Sequence, residues 1–173
     1  MQPKPHFHRR RASLAYDWPQ PPFNLVLVEP EIPPNTGNIA RLCAATGSVL
    51  HLVGPLGFRL DNRSLRRAGL DYWPQVDLRR HASLEEFILA ADRERFFLLS
   101  TSGTIPHTAA EFRAGDYLIF GSESRGLPEE FMDAHREDVI GIPMRGSGVR
   151  SLNLATAAAI VLYEGLRQVQ KRA

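Results

Sequence analysis

The sequence predicts a single α/β domain built on a mostly parallel sheet with helices on both faces. Three observations carry this. Short apolar runs recur along the chain, each of strand length and too short for a buried helix. Segments with helix caps and helical spacing lie between them. The 173-residue length favours one core, and 43% hydrophobic residues are enough to fill it. Runs without a polar face belong to strands covered on both sides, so five or six parallel strands are expected.

The elements follow in order. "FNLVLVEP" reads as the first strand, closed by Pro30. "IPPNTGNIARLCAATG" reads as a helix with Gly47 as its C-cap. Ile39, Leu42, Cys43 and Thr46 follow its i, i+3, i+4, i+7 stripe and should face the sheet. Arg41 falls on the other side, with Gly37 and Asn38 before it. "SVLHLVGP" is the second strand, and "DNRSLRRAGLDYW" starts with cap chemistry at Asp61 or Asn62 and reads as a short helix. "SLEEFILAADRE" carries a capping box, Ser83 with Glu86. "RFFLLST", "DYLIFGSES" and "DVIGIPM" are the remaining strands, and "SLNLATAAAIVLYEGLRQVQ" closes the domain as a long helix.

Composition excludes several classes. No run approaches the roughly 20 apolar residues that cross a bilayer, and the N-terminus has no apolar signal core. One cysteine, Cys43, leaves neither an intramolecular disulfide nor a multi-cysteine zinc site. These features point to a cytoplasmic protein without a metal. Residues 1–22 form a proline-rich basic arm, expected to be flexible: Lys4, Arg9, Arg10 and Arg11 stand against Asp17. The arm thus holds +3 of the net +2, and residues 23–173, the folded domain, sum to −1. The body is no uniformly basic nucleic-acid binder, so an RNA partner must meet a local patch.

Parallel α/β sheets bind ligands at the carboxyl ends of their strands. That rule directs attention to Glu29–Asn38, Thr101–Thr104, Gly121–Leu127 and Ile142–Ser151. No G-x-G-x-x-G follows the first strand, and no Walker G-x-x-x-x-G-K-[ST] occurs, which argues against a dinucleotide oxidoreductase and an NTPase. Glu123 in "GSESRGLPEE" does not suit a triphosphate. Ser122 and Ser124 lack the G-x-S-x-G elbow of a hydrolase. In "IPMRGSGVRSLNLATAAAI" a strand gives way to a loop through Gly146 and Gly148, and "RSLN" opens the last helix. Ser151 is its expected N-cap, with Asn153 in the first turn. Ala155 and Ala157–Ala159 offer a small-residue surface.

"NLVLVEPEIPPNTGNIARLCAATG", "HLVGPLGF", "LRRAGLDYW", "IFGSESRGLP" and "IPMRGSGVRSLNLATA" occur in this order. Together they resemble the SPOUT superfamily of RNA methyltransferases. The closest match is the small single-domain family that 2′-O-methylates the wobble nucleotide of tRNA. The likeness covers residues 23 to about 170. It implies a C-terminal trefoil knot, which periodicity would never suggest. It also implies S-adenosyl-L-methionine as cofactor, a homodimer, and the tRNA anticodon stem-loop as partner. By motif position the cofactor contacts fall on Leu99, Gly121, Ile142 and Ser151. The family's catalytic asparagine and arginine fall on Asn35 and Arg41. A guanidinium is never a general base at ordinary pH. Arg41 is therefore expected to hold the phosphate beside the target ribose and to stabilise the developing alkoxide.

Arg63, Arg66 and Arg67 share a helix face and, with Arg150 and Asn153, are the candidate RNA contacts. Arg79, Arg80 and His81 read as solvated surface, Tyr72 and Trp73 as aromatic core rather than a base-stacking platform, and Tyr163 as dimer packing. The "RGSGV" loop departs from the proline and small polar residue that many family members carry before the arginine, which bears on target preference. The same chemistry on ribosomal RNA, and a non-catalytic RNA-binding factor that keeps the fold, are the alternatives.

Overall fold

The computed structural model describes residues 14–58, 73–91, 95–146 and 148–172. The expected helix over 61–73, with Arg63, Arg66 and Arg67, lies almost wholly outside them. Seven strands form one sheet: β1 (Asn24–Val28), β2 (Val49–Val53), β3 (Leu78–His81), β4 (Phe96–Leu99), β5 (Ile105–Pro106), β6 (Tyr117–Phe120) and β7 (Val139–Gly141). Their order is β3-β2-β1-β6-β4-β7-β5, and every neighbouring pair is parallel.

The sheet is larger than the five or six strands expected, because two of its members carry no apolar run. β3, "LRRH", sits at one edge, where Arg79 and Arg80 can point to solvent. β5 is two residues long at the other edge.

β1 shows why the central strands are so apolar. All five of its residues are buried, and the period of two splits them between two cores. Leu25 and Leu27 pack with Ile39, Cys43, Val161 and Leu162 on the side of α1 (Pro33–Thr46) and α4 (Leu154–Arg172). Val26 and Val28 pack with Phe87 of α2 (Leu84–Ala90) and Phe131 of α3 (Glu129–Ala134). Burying each such aliphatic side chain contributes about 1.5–3 kcal/mol.

The helix ends largely follow the sequence. Gly47 caps α1 in the left-handed conformation, φ 70°, and its N–H donates to the Cys43 carbonyl. Ser83 Oγ accepts the Glu86 N–H at 3.2 Å, while the Glu86 carboxylate turns back to the Ala82 N–H at 2.7 Å. Along α1, Ile39, Cys43 and Thr46 are buried as expected. Gly37 is buried too, so it belongs to the packed face rather than to the Arg41 face. Cys43 sits in this core, and burial pushes its thiol up to about 12, so it is inert. The end of the basic arm lies against the body, with Pro19 buried and Tyr16 packed on the main core. Trp73 is likewise half-buried against that core.

His81 is not the solvated residue expected. It stacks on His51, with ring centroids 5.2 Å apart, and Phe87 meets both rings edge-on. Asn24 Nδ2 donates to the Gly115 carbonyl at 2.9 Å, which turns Asn24 Oδ1 toward His51 Nε2 at 3.2 Å. His51 Nε2 must therefore carry the hydrogen. Its Nδ1 then accepts from His81 Nε2 at 3.0 Å, which fixes both tautomers. His51 cannot gain a proton without breaking this chain. Burial, then His81 and Arg79, push it down to about 4, against an opposing pull from Asp77.

The unfolded state binds this proton more readily, so stability falls as pH drops from the usual 6.5 toward 4. The loss attributable to His51 is roughly 3 kcal/mol. His51→Gln is expected to flatten that part of the profile in urea unfolding at stepped pH. Equal slopes for the two proteins would assign the acid sensitivity elsewhere.

Candidate active site

The carboxyl ends of β1, β6, β4 and β7, four adjacent strands, open onto one cleft of about 760 Å³. That volume suits a cofactor-sized molecule. Each wall comes from the segment that follows a strand. Ile32 and Asn35 come from the start of α1, Leu99 to Thr101 from the end of β4, and Phe120 to Leu127 from β6 and its loop. Ile142 and Met144 follow β7, and Arg150 to Leu154 lead into α4.

The cleft gathers Leu99, Gly121, Ile142, Ser151, Asn35, Arg150 and Asn153 from the sequence-based assignment. It does not gather Arg41, which is exposed on α1 and lies six residues beyond Asn35, outside the lining. Leu99 and Ile142 are half-buried and apolar, Gly121 is buried, and Ser151 and Arg150 are exposed.

Gly121 is required by close approach. A Cβ there would lie 2.0 Å from the Gly126 carbonyl carbon and 2.2 Å from the Leu127 nitrogen. The loop folds back on itself at this point, and Ser122 and Gly126 exchange two backbone hydrogen bonds at 2.9 and 3.2 Å. The loop closed in this way lines the cleft together with Leu99 and Ile142.

Three carboxylates lock the loop after β6 to the start of α1. Glu123 accepts from the Glu31 and Ile32 N–H groups at 2.8 and 3.2 Å, and from Asn35 Nδ2 at 2.9 Å. The two backbone amides lie just before the helix, whose first two residues, Pro33 and Pro34, have no N–H of their own. Glu31 answers by accepting from Ser124 N and Oγ at 3.1 and 2.7 Å. Glu29 accepts from Arg125 at 2.6 Å. Partial burial pulls the Glu123 carboxyl upward, but the hydrogen bonds from Asn35, Glu31 and Ile32 outweigh it and hold it below its ordinary value.

The chain of contacts continues across the cleft. Asn35 Oδ1 accepts from Asn153 Nδ2 at 2.8 Å, and Asn153 Oδ1 accepts from the Ala155 and Thr156 N–H groups at 2.9 and 3.3 Å. Asn153, not Ser151, therefore caps α4. The helix begins two residues later than "RSLN" suggested because the amide also reaches Asn35. Ser151 is left exposed on the cleft wall. Sequence reasoning read Glu123 only as hostile to phosphate. The missed signal was a glutamate three residues past a strand end, facing a helix that starts with two prolines.

Among the described residues, no group of three or more His, Cys, Asp or Glu side chains is placed to hold a metal ion, and no helix is long and apolar enough to cross a membrane.

A parallel sheet with a cleft at four strand ends, tied together by a Glu–Asn–Asn relay, fits an RNA methylase. Residues 22–163 match the model of the SpoU rRNA methylase family, and the chain belongs to that family. The tRNA (cytidine(34)-2′-O)-methyltransferase of Escherichia coli K12 is 50% identical over 148 residues, 85% of this chain and 94% of that protein. A solved structure concerned with 2′-OH methylation of C/U34 on tRNA is 53% identical. It superposes with a TM-score of 0.80, covering 87% of this chain and 97% of that one. The SpoU methyltransferase AviRb from Streptomyces viridochromogenes, solved with AdoMet, is 25% identical. The match covers 84% of this chain and 57% of that one, with a TM-score of 0.73.

Proposed function

We propose that the protein is an S-adenosyl-L-methionine-dependent tRNA 2′-O-methyltransferase acting on the ribose of the wobble nucleotide, cytidine or modified uridine. The observation that carries this is convergence. The four positions matched to cofactor binding line the same cleft as Asn35, Arg150 and Asn153. The names of the relatives above support the substrate.

The residues present fit the cofactor. Main-chain groups of the Gly121–Leu127 segment, which lines the cleft, would meet the polar edge of the adenine. Leu99 and Ile142 would flank the ring, and Ser151 would offer a hydroxyl. When bound, S-adenosyl-L-methionine would supply a sulfonium methyl group to the ribose 2′-oxygen, its S–CH3 bond breaking as the O–CH3 bond forms, and the hydroxyl proton would leave to phosphate or water. This chain's contribution is alignment. Asn35, held by Glu123 and Asn153, keeps the α1 wall at a fixed distance from the α4 wall. Arg150 at the rim meets the RNA backbone, and Arg63, Arg66 and Arg67, outside the described residues, are further candidate RNA contacts from their sequence spacing alone. Arg41 lies outside the cleft lining of its own chain, so its part in holding the phosphate next to the target ribose and stabilising the alkoxide rests on the motif match.

The same reading includes a trefoil knot through the β4, β6 and β7 segments. Its support is the family match and the strand order, with β4 between β6 and β7. A cytoplasmic homodimer completes it, with half-exposed Tyr163 on the pairing face; Ala158 is buried in the chain's own core and Ala155 and Ala157 pack against it.

Mapping ribose methylation in tRNA and ribosomal RNA, with and without the protein, tests the assignment. Methyl groups appearing only on ribosomal RNA would redirect the substrate. Absence of calorimetric binding to S-adenosylmethionine would reject the enzyme. Arg41→Ala is expected to cut turnover about a thousandfold, on the scale of a lost alkoxide-stabilising donor, with cofactor affinity changed only a few-fold. A collapse of cofactor binding instead would make Arg41 structural.

A further inference from the structure

Of the three glutamates in the locked corner, two are consumed by backbone. Glu123 and Glu31 accept from main-chain N–H groups and from Asn35 and Ser124. Glu29 differs, because it faces the Arg125 guanidinium at 2.6 Å. Its backbone is in the left-handed region at φ 48°, which a non-glycine residue occupies at a cost. Its N–H is fixed to the Val53 carbonyl at 2.8 Å, so the carboxylate is aimed from a rigid base.

Arg125 is likewise held at its backbone. Its N–H donates to Ser122 Oγ at 3.3 Å, within the loop pinned by the Ser122–Gly126 bridge. Only the side chain is available to move. It lines the cleft, and it is 71% exposed against 39% for its partner. A pair this exposed is screened and contributes little to stability. A phosphate offers a guanidinium two parallel charged hydrogen bonds and is the stronger partner. The body of the protein outside the arm is net negative, so a cation left unneutralised on the rim matters to an approaching polyanion.

We propose that Arg125 is a further RNA-phosphate ligand of the cleft, parked on Glu29 until RNA arrives. Glu29 is a positioning residue that sets the direction of Arg125 and competes with the RNA for it. This rests on the reading of the cleft as an RNA methyltransferase site.

The test measures fluorescence anisotropy of a labelled anticodon stem-loop RNA across a salt series, with cofactor affinity followed by calorimetry. Arg125→Ala is expected to weaken RNA binding about tenfold and to lower the log–log salt slope by about 1. Glu29→Gln keeps the side-chain shape and is expected to tighten RNA binding about threefold, since the competitor is lost. The double variant should match Arg125→Ala, with S-adenosylmethionine affinity within about twofold throughout. A structural strut would give the same sign for both single variants, and weaker RNA binding by Glu29→Gln would overturn the proposal. Loss of cofactor affinity in Arg125→Ala would overturn it too, assigning Arg125 to the cofactor carboxylate. If the wild-type protein binds cofactor but neither binds nor methylates the RNA, the enzyme reading falls and this proposal with it. Wild-type methylation with an unchanged Arg125→Ala response would overturn Arg125 alone.

Discussion

Gly121→Ala is expected to abolish S-adenosylmethionine binding and to lower the melting midpoint by about 10 °C. The added methyl would meet the Gly126 and Leu127 backbone at 2.0–2.3 Å. No side chain can rotate away to relieve that contact. Overpacking of a core costs about 1–3 kcal/mol when side chains can adjust, and here main chain must move. At roughly 2–4 °C per kcal/mol for a domain of this size, the upper end of that range gives the stated shift. The displaced loop lines the cleft proposed for the cofactor, so binding and stability should fail together. Thermal unfolding and calorimetric titration read both. A variant with native melting and native affinity would show that the hairpin from Ser122 to Gly126 shifts without cost.

The second large effect is expected at Glu123. Glu123→Gln exchanges one acceptor oxygen for an amide that can only donate, opposite either the Ile32 N–H and Asn35 amide that share Oε1 or the Glu31 N–H at Oε2. Losing hydrogen bonds to a charged acceptor and leaving a donor unpaired costs roughly 2–3 kcal/mol. The α1 wall then loses its fixed distance from the loop after β6, and Asn35 loses one of its two anchors. An expected hundredfold fall in kcat/KM corresponds to about 2.7 kcal/mol of lost transition-state positioning. Cofactor affinity should change less than turnover, because Glu123 holds the α1 wall rather than the Leu99–Gly121–Ile142 surface. Steady-state kinetics beside calorimetry separates the two. Equal losses in both would make Glu123 a general fold determinant. The native charge state matters as well. Glu123 is held below its ordinary value, so its contribution is complete above the usual carboxylate range and disappears as pH falls through the lowered one.

Much of this was legible in the chain. β1, β2, β4, β6 and β7 announce themselves as apolar runs because a doubly covered parallel strand needs no polar face. α1 could be bounded to within a residue from its prolines and from Gly47, whose left-handed φ a helix end requires. β3 escaped because an edge strand beside solvent tolerates "LRRH", and β5 because two residues carry no period. The cofactor-matched positions converge because the strand-end rule and the motif spacing name the same loops. The relay from Glu123 through Asn35 to Asn153 was beyond reach. Its partners lie 88 and 118 residues apart, and no local pattern distinguishes an asparagine that bridges two loops from one that caps a helix. His51 was hidden for the same reason. A histidine in an apolar strand looks like a tolerated exception until Asn24 and His81 are seen beside it.

The link between Asn35 and Asn153 has a consequence for when the cleft comes into being. A chain leaving the ribosome has made α1 long before the residues that complete the opposite wall exist. β1 must also wait for β6, its in-register neighbour, before the centre of the sheet can close. Such distant pairings delay folding, because the loop-closure entropy must be met before any contact repays it. Any ligand that needs both walls therefore recognises only the finished molecule. It raises stability by mass action on the native state and lengthens the native lifetime, yet it does nothing to hasten the search that precedes it.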